Sequence, residues 1–168
     1  MTLLTDLALA GAVLLVVAGV RHLARGDRTL RGHGLLPPWM IRVAVLADPL
    51  IGLAAITAWL AGDQTVTRYA WLAAATWHAA LAAYLTVLLR ERGRVPCGCL
   101  DTTTLVSPLK IAITVAFFAA TAAASPLHPP PDLLTRLLHL PLAAFAALLT
   151  TVATKTAALT GTPRPRNR

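Results

Sequence analysis

Five apolar stretches divide the chain, and in each the apolar residues run continuously instead of alternating with polar ones. The first runs from Leu3 to Val20 and carries one charge, Asp6. The second, Val43 to Gly62, also carries one, Asp48, and the third, Tyr69 to Leu89, carries none. The fourth runs from Leu109 to Ser125 and is closed by Pro126; the fifth runs from Leu137 to Thr154 with Pro141 near its start. A helix that crosses a bilayer needs about 20 mostly apolar residues, within a range of about 17–25. The second and third stretches meet that need, and the fourth and fifth lie near its lower limit. Barrel strands are excluded, because they alternate and are only about 9–11 residues long. The pattern therefore predicts an all-α integral membrane helical bundle, with four core helices and a fifth, and spans at about 3–20, 43–62, 69–89, 109–125 and 137–154.

Composition narrows the class. Of 168 residues, 57% are hydrophobic and 13% charged, against about 45–50% and about 25% for a typical soluble domain. The mean hydropathy is +0.67, so the lipid bilayer is the expected surroundings. The length suits one domain, residues 1–160, followed by a basic tail, 161–168, whose Pro163-Arg164-Pro165-Arg166 stretch has nothing apolar to pack and is expected to be disordered. A net charge of +8 also raises nucleic acid as a partner. That partner is excluded by placement, because the basic residues cluster between apolar runs and form no face interleaved with aromatics.

The same clusters give an orientation. Arg21, Arg25, Arg28, Arg31 and Arg42 follow the first span; Arg90, Arg92, Arg94 and Lys110 follow the third; Lys155, Arg164, Arg166 and Arg168 follow the fifth. Only Arg68 and Arg136 fall on the opposite side. Cytoplasmic loops are enriched in Lys and Arg, so the expectation is a plasma-membrane protein with its N-terminus outside and its C-terminus inside. The first stretch lacks a positive n-region and has its arginines after it, the reverse of a secretory signal. It is read as a retained helix that continues about two turns past the bilayer, with its arginines drawn to anionic lipid. Trp39, Trp59, Tyr69 and Trp71 read as interfacial anchors, and Trp77 as packing.

Candidate chemistry concentrates at Cys97-Gly98-Cys99, the chain's two cysteines, which lie in a polar loop directly after Arg90-Glu91-Arg92-Gly93-Arg94. Gly98 lets the sulfurs approach, a disulfide closed over one residue is strained and labile, and nearby arginines favour the thiolate. The pair is read as a redox couple or as two inert interfacial thiols. A metal site is disfavoured, because zinc takes four ligands and His22, His33 and Asp101 show no ligand spacing to the pair. Asp48 is a carboxylate inside a span, and such residues mark function or an ion pair. It is read as a proton site or as a partner of Arg42 or another first-loop arginine. Ala44, Gly52 and Ala55 share its face and allow a close neighbour. His78 falls near mid-bilayer, facing a proton path or a quinone-like ligand, or bonded to another helix. His128 and His139 read as caps of the turn at Pro129-Pro130-Pro131.

Gly19-Val20-Arg21-His22-Leu23, Gly34-Leu35-Leu36-Pro37, Asp48 with Gly52, and Arg94-Val95-Pro96-Cys97-Gly98-Cys99 resemble, in order and spacing, the methylamine utilisation protein MauE family of the wider DoxX-like group. The resemblance spans about residues 10–125, and its most specific element is the Arg-Val-Pro-Cys-Gly-Cys stretch. It implies a bundle of four core helices, here with a fifth appended. It also implies thiol–disulfide or electron-transfer chemistry in maturing the disulfide-rich subunit of an amine dehydrogenase, beside a thioredoxin-like partner. Cys97 and Cys99 map onto the redox pair, and Asp48 onto a position where relatives usually carry Glu. The chain departs from the family at Leu100-Asp101, where an aromatic and Gly are usual, and at His22, where Lys is common.

Three functions follow as alternatives: a membrane thiol redox or maturation factor acting with a protein partner or a quinone; a non-catalytic scaffold that binds a partner; and a small-solute or proton carrier using Asp48 and His78. Disulfides of the implied client form outside the cytoplasm, whereas the charge asymmetry puts the cysteine loop inside.

Overall fold

The computed structural model describes residues 2–25, 35–96, 105–124 and 132–160. They form five helices: α1 (Thr2–Arg25), α2 (Pro38–Ala61), α3 (Gln64–Arg92), α4 (Pro108–Ala124) and α5 (Leu133–Thr160). No strand occurs among the described residues; an isolated antiparallel bridge joins Pro96 to Leu105. The basic tail 161–168 and Arg28 lie outside the described residues.

Local chemistry sets the ends. Pro37 is extended and Pro38 takes the first position of α2, where a missing N–H costs nothing and the fixed φ suits a helix. Gly62 then adopts the left-handed conformation (φ 76°) and its N–H reaches Ala58 O, the closing turn that glycine makes without Cβ strain. The next residue, Asp63, already caps α3 by accepting from the Val66 N–H at 2.9 Å. Ser107 caps α4 through Lys110 N–H (3.3 Å), and Asp132 caps α5 by accepting from the Thr135 amide (3.2 Å) and hydroxyl (2.7 Å). The Thr135 bonds hold the Asp132 carboxyl below its ordinary value of 3.8.

Among the described residues, four helices are long and apolar enough to cross a membrane: Leu3–Ala24, Pro38–Ala61, Gln64–Arg92 and Leu133–Thr156. The short one is α4, with 17 residues and a rise of about 25 Å. The last helix is longer than the apolar run from Leu137 suggests, because its cap lies at Asp132, one turn earlier. The bundle is thus all-α and membrane-like, as the hydropathy predicts. Leu50, Leu134, Leu138, Leu142, Phe145 and Leu148 stay exposed, as lipid-facing side chains should.

At the centre stands α1, packed against α2, α4 and α5, while α3 packs against α2 and α4. Small residues let α1 be surrounded: Ala8, Ala10 and Ala12 are fully buried. A Cβ on Gly19 would come within 2.1 Å of Pro49 Cδ, and one on Gly52 within 2.6 Å of Ala12 O. The α1–α2 contact is therefore close on both sides, and Gly52 and Ala55 lie buried on the Asp48 face as expected.

Candidate functional site

Cys97 and Cys99 lie outside the described residues, but the base of their loop is well defined. Val106 N–H donates to Val95 O at 2.9 Å, beside the Pro96–Leu105 bridge. Val106 is fully buried and packs with Leu85 and Leu88 of α3, against Leu35, Tyr84, Val95 and Ile111. The residues flanking 97–104 are thus tied to each other and to the ends of α3 and α4. The loop's root is fixed by apolar burial and by an antiparallel hydrogen bond.

Asp48 lies ten residues into α2, roughly 15 Å along the helix axis from its start. It is followed by Pro49, which has no N–H and removes one backbone bond of the helix. Among the described residues its hydrogen-bond partner is Trp77 of α3, whose indole Nε1–H donates to Oδ1 at 2.6 Å. Arg42, expected as a salt-bridge partner, is exposed. Trp77, read from the sequence as packing, is the polar partner of the buried carboxylate. The pairing follows from the two-residue Gly62–Asp63 connection, which sets α2 and α3 antiparallel with positions 48 and 77 at one level.

His78, the next residue of α3, is buried. Its Nδ1–H donates to Ala74 O at 2.8 Å, so its hydrogen bond runs to its own helix and not to another. Its ring lies against Phe117 (centroids 5.8 Å apart) and above Gly11, where a Cβ would be 3.2 Å from Nε2. With Nδ1 protonated, the neutral ring presents Nε2 as an acceptor.

Two cavities meet at Asp48. One, of about 90 Å³, is lined by Asp48, His78, Lys110 and Thr114 with Thr150 and Thr154 of α5. The other, of about 280 Å³, is lined by Asp48, His22, Trp39, Met40, Trp77 and Tyr84 among others. Its rim opens to the outside of the bundle beside Trp39, which is 64% exposed. Lys110, counted from the sequence as a loop charge, is a buried residue of the first turn of α4. Sequence reasoning missed it because a lysine beside the start of a span reads as a flanking charge.

A second polar group occupies the opposite end of the bundle. His139 Nδ1 and Asp6 Oδ1 are 2.5 Å apart and join α5 to α1. Here the expectation of a turn cap is corrected: His139 sits inside α5, edge-on to Trp59. His128 lies outside the described residues. Arg136 Nη1 donates to Leu60 O at 2.7 Å, placing a cation at the C-terminal end of α2, where the helix dipole favours it. Trp59 and Trp71 do not face lipid as anchors. They are buried against each other, 6.5 Å between centroids, because α5 covers Trp59 with His139. Tyr69 is exposed.

No match to this chain was found among curated proteins, and none among solved structures. The sequence model of the methylamine utilisation protein MauE matches residues 1–128, a region that takes in α1 to α4 and the Cys97-Gly98-Cys99 loop and ends before α5. Joined to the membrane-like bundle and the intramembrane Asp48, that match over most of the chain means that the protein belongs to the MauE family.

Proposed function

We propose that this MauE-family protein is a thiol–disulfide redox component of the plasma membrane, with Cys97 and Cys99 as its working pair. The supporting observation is the tied root of the 97–104 loop: the Val106–Val95 hydrogen bond and the buried Val106 hold the flanks of a dithiol motif against the ends of α3 and α4. A Cys-Gly-Cys pair on such a root can form and break a labile disulfide without disturbing the bundle. In exchange with a thioredoxin-like partner, one S–S bond forms at Cys97–Cys99 as the partner's disulfide breaks, and two electrons and two protons pass to the partner. The family match supports a role in maturing an amine dehydrogenase or a similar client.

A quinone is the second acceptor this reading admits. The observation favouring it is the 280 Å³ cavity, which opens beside the exposed Trp39, is walled by Trp77 and Tyr84 and has one carboxylate, Asp48, in its wall. A quinone there takes two electrons and two protons and leaves as the hydroquinone, while the dithiol becomes the disulfide. The basic clusters support a cytoplasmic loop and C-terminus with the N-terminus outside.

The test is Cys97→Ser and Cys99→Ser in cells that depend on the protein. Loss of function in each, with normal amounts of protein in the membrane, is the expected result. Full activity in both variants overturns the redox reading and leaves the scaffold alternative, for which a stoichiometric partner complex would be recovered.

A further inference from the structure

The larger cavity sets a single carboxylate in a mostly apolar wall. Asp48 is 6% exposed, and among the described residues its carboxyl takes one hydrogen bond, from the Trp77 indole to Oδ1. The described residues of the lining include no lysine or arginine, and Arg42 is exposed. A carboxylate held inside a span calls for a proton or a cation. The wall favours the cation, because Trp39, Trp77 and Tyr84 belong to the ring types that attract positive charge. The other polar side chains of the wall, His22 and Tyr84, each hold an interaction of their own. Oδ2 of Asp48 is therefore the acceptor that the wall offers to a ligand.

One open acceptor also limits which cation fits. A primary ammonium brings three N–H donors and would strand most of them against apolar side chains, at a cost in affinity. A tertiary ammonium brings one, which Oδ2 can accept, and its carbon substituents suit the rest of the wall. At about 280 Å³ the cavity lies near the lower end of the about 300–1,000 Å³ usual for small-molecule sites, which suits a body of one ring. We propose that the larger cavity is a binding site for a small tertiary amine with an apolar body, its ammonium held by Asp48 within the walls formed by Trp39, Trp77 and Tyr84. An amine arriving as the free base takes its proton from the carboxylic acid, and one arriving charged meets the carboxylate. Either way the pair holds one proton and no net charge. The site goes beyond the thiol chemistry of Cys97 and Cys99 and does not depend on it; a quinone would compete for the same space.

The experiment is equilibrium binding to the full-length protein in lipid nanodiscs, with empty nanodiscs to subtract partition into lipid. The probes are N,N-dimethylbenzylamine, its uncharged carbon isostere isobutylbenzene, and the primary amine benzylamine. The tertiary amine is expected to bind saturably and at least about ten-fold more tightly than either of the others. Asp48→Asn keeps an acceptor for the indole and removes the charge. It should weaken the tertiary amine at least about ten-fold and leave isobutylbenzene binding unchanged, which shows that the cavity is intact. Ala44 lines the larger cavity and not the smaller one, so Ala44→Leu should weaken both of those probes and thereby locate them. Cys97→Ser/Cys99→Ser should bind the amine as the wild type does, which separates failure of the redox reading from failure of this site. Absence of saturable amine binding, equal affinity for isobutylbenzene or benzylamine, or wild-type amine affinity in Asp48→Asn or Ala44→Leu overturns the proposal.

Discussion

The Trp77 indole serves Asp48 in two ways, donating to its carboxylate and walling the larger cavity beside it. Trp77→Phe keeps most of the wall and removes the donor. It is expected to cost about 1–2 kcal/mol in thermal unfolding in detergent, the usual penalty for stranding a buried acceptor. Asp48→Asn, which still accepts from the indole, should cost less. Gly19→Ala puts a Cβ within 2.1 Å of the Pro49 ring, and that overpacking is expected to lower stability by about 1–3 kcal/mol in the same assay. At this scale the sequence exposes an intramembrane charge but not its partner. Asp48 stands out in an apolar run, whereas Trp77 in another run looks like any buried aromatic. Lys110 is hidden for a different reason: beside the start of a span it reads as a flanking charge, and only the packing of α4 shows it buried in the bundle.

Among the elements, α5 lies beyond the MauE match yet closes the smaller cavity with Thr150 and Thr154 and buries Ala143 and Ala147 in the main core. Its start carries a pH signature. The Asp132 carboxyl is held below 3.8 by its bonds to Thr135, so the ionised cap adds stability at pH values above the unfolded value. That contribution is lost as pH falls through the lower folded value. An NMR titration of the Thr135 amide should show a midpoint below 3.8, and Asp132→Asn should abolish it. Farther along, His139→Ala leaves Asp6 without its partner and should loosen α5. A cysteine pair placed across α1 and α5 near Ala8 and Ala143 should then cross-link less completely. The hydropathy locates α5 but starts it late, because Leu133 and Leu134 are separated from the main run by Thr135 and Arg136. The Asp132–Thr135 capping pair extends the helix back over them.

For the whole molecule, the all-α bundle is legible in the apolar runs alone, because length and continuity decide between helix and barrel strand before any contact is known. What the runs cannot supply is rotation about each helix axis. Trp59 and Trp71 sit at depths that suit interfacial anchors, yet they turn inward because α5 packs over Trp59. Orientation in the bilayer is a further whole-molecule property, argued from thirteen basic residues on one side against two on the other. In intact cells, Cys97 and Cys99 should react with membrane-permeant maleimides and resist impermeant ones. Labelling by the impermeant reagent would invert the topology.

The join between Asp6 and His139 has a consequence for synthesis. Asp6 is made before His139, so the helix at the centre of the bundle enters the membrane with its carboxylate unmatched and stays so until α5 arrives. A chain released before α5 is complete carries that defect in its most enclosed helix. Membrane quality control, which recognises exposed polar groups in the bilayer, should therefore remove truncated chains, and Asp6→Leu should let them persist.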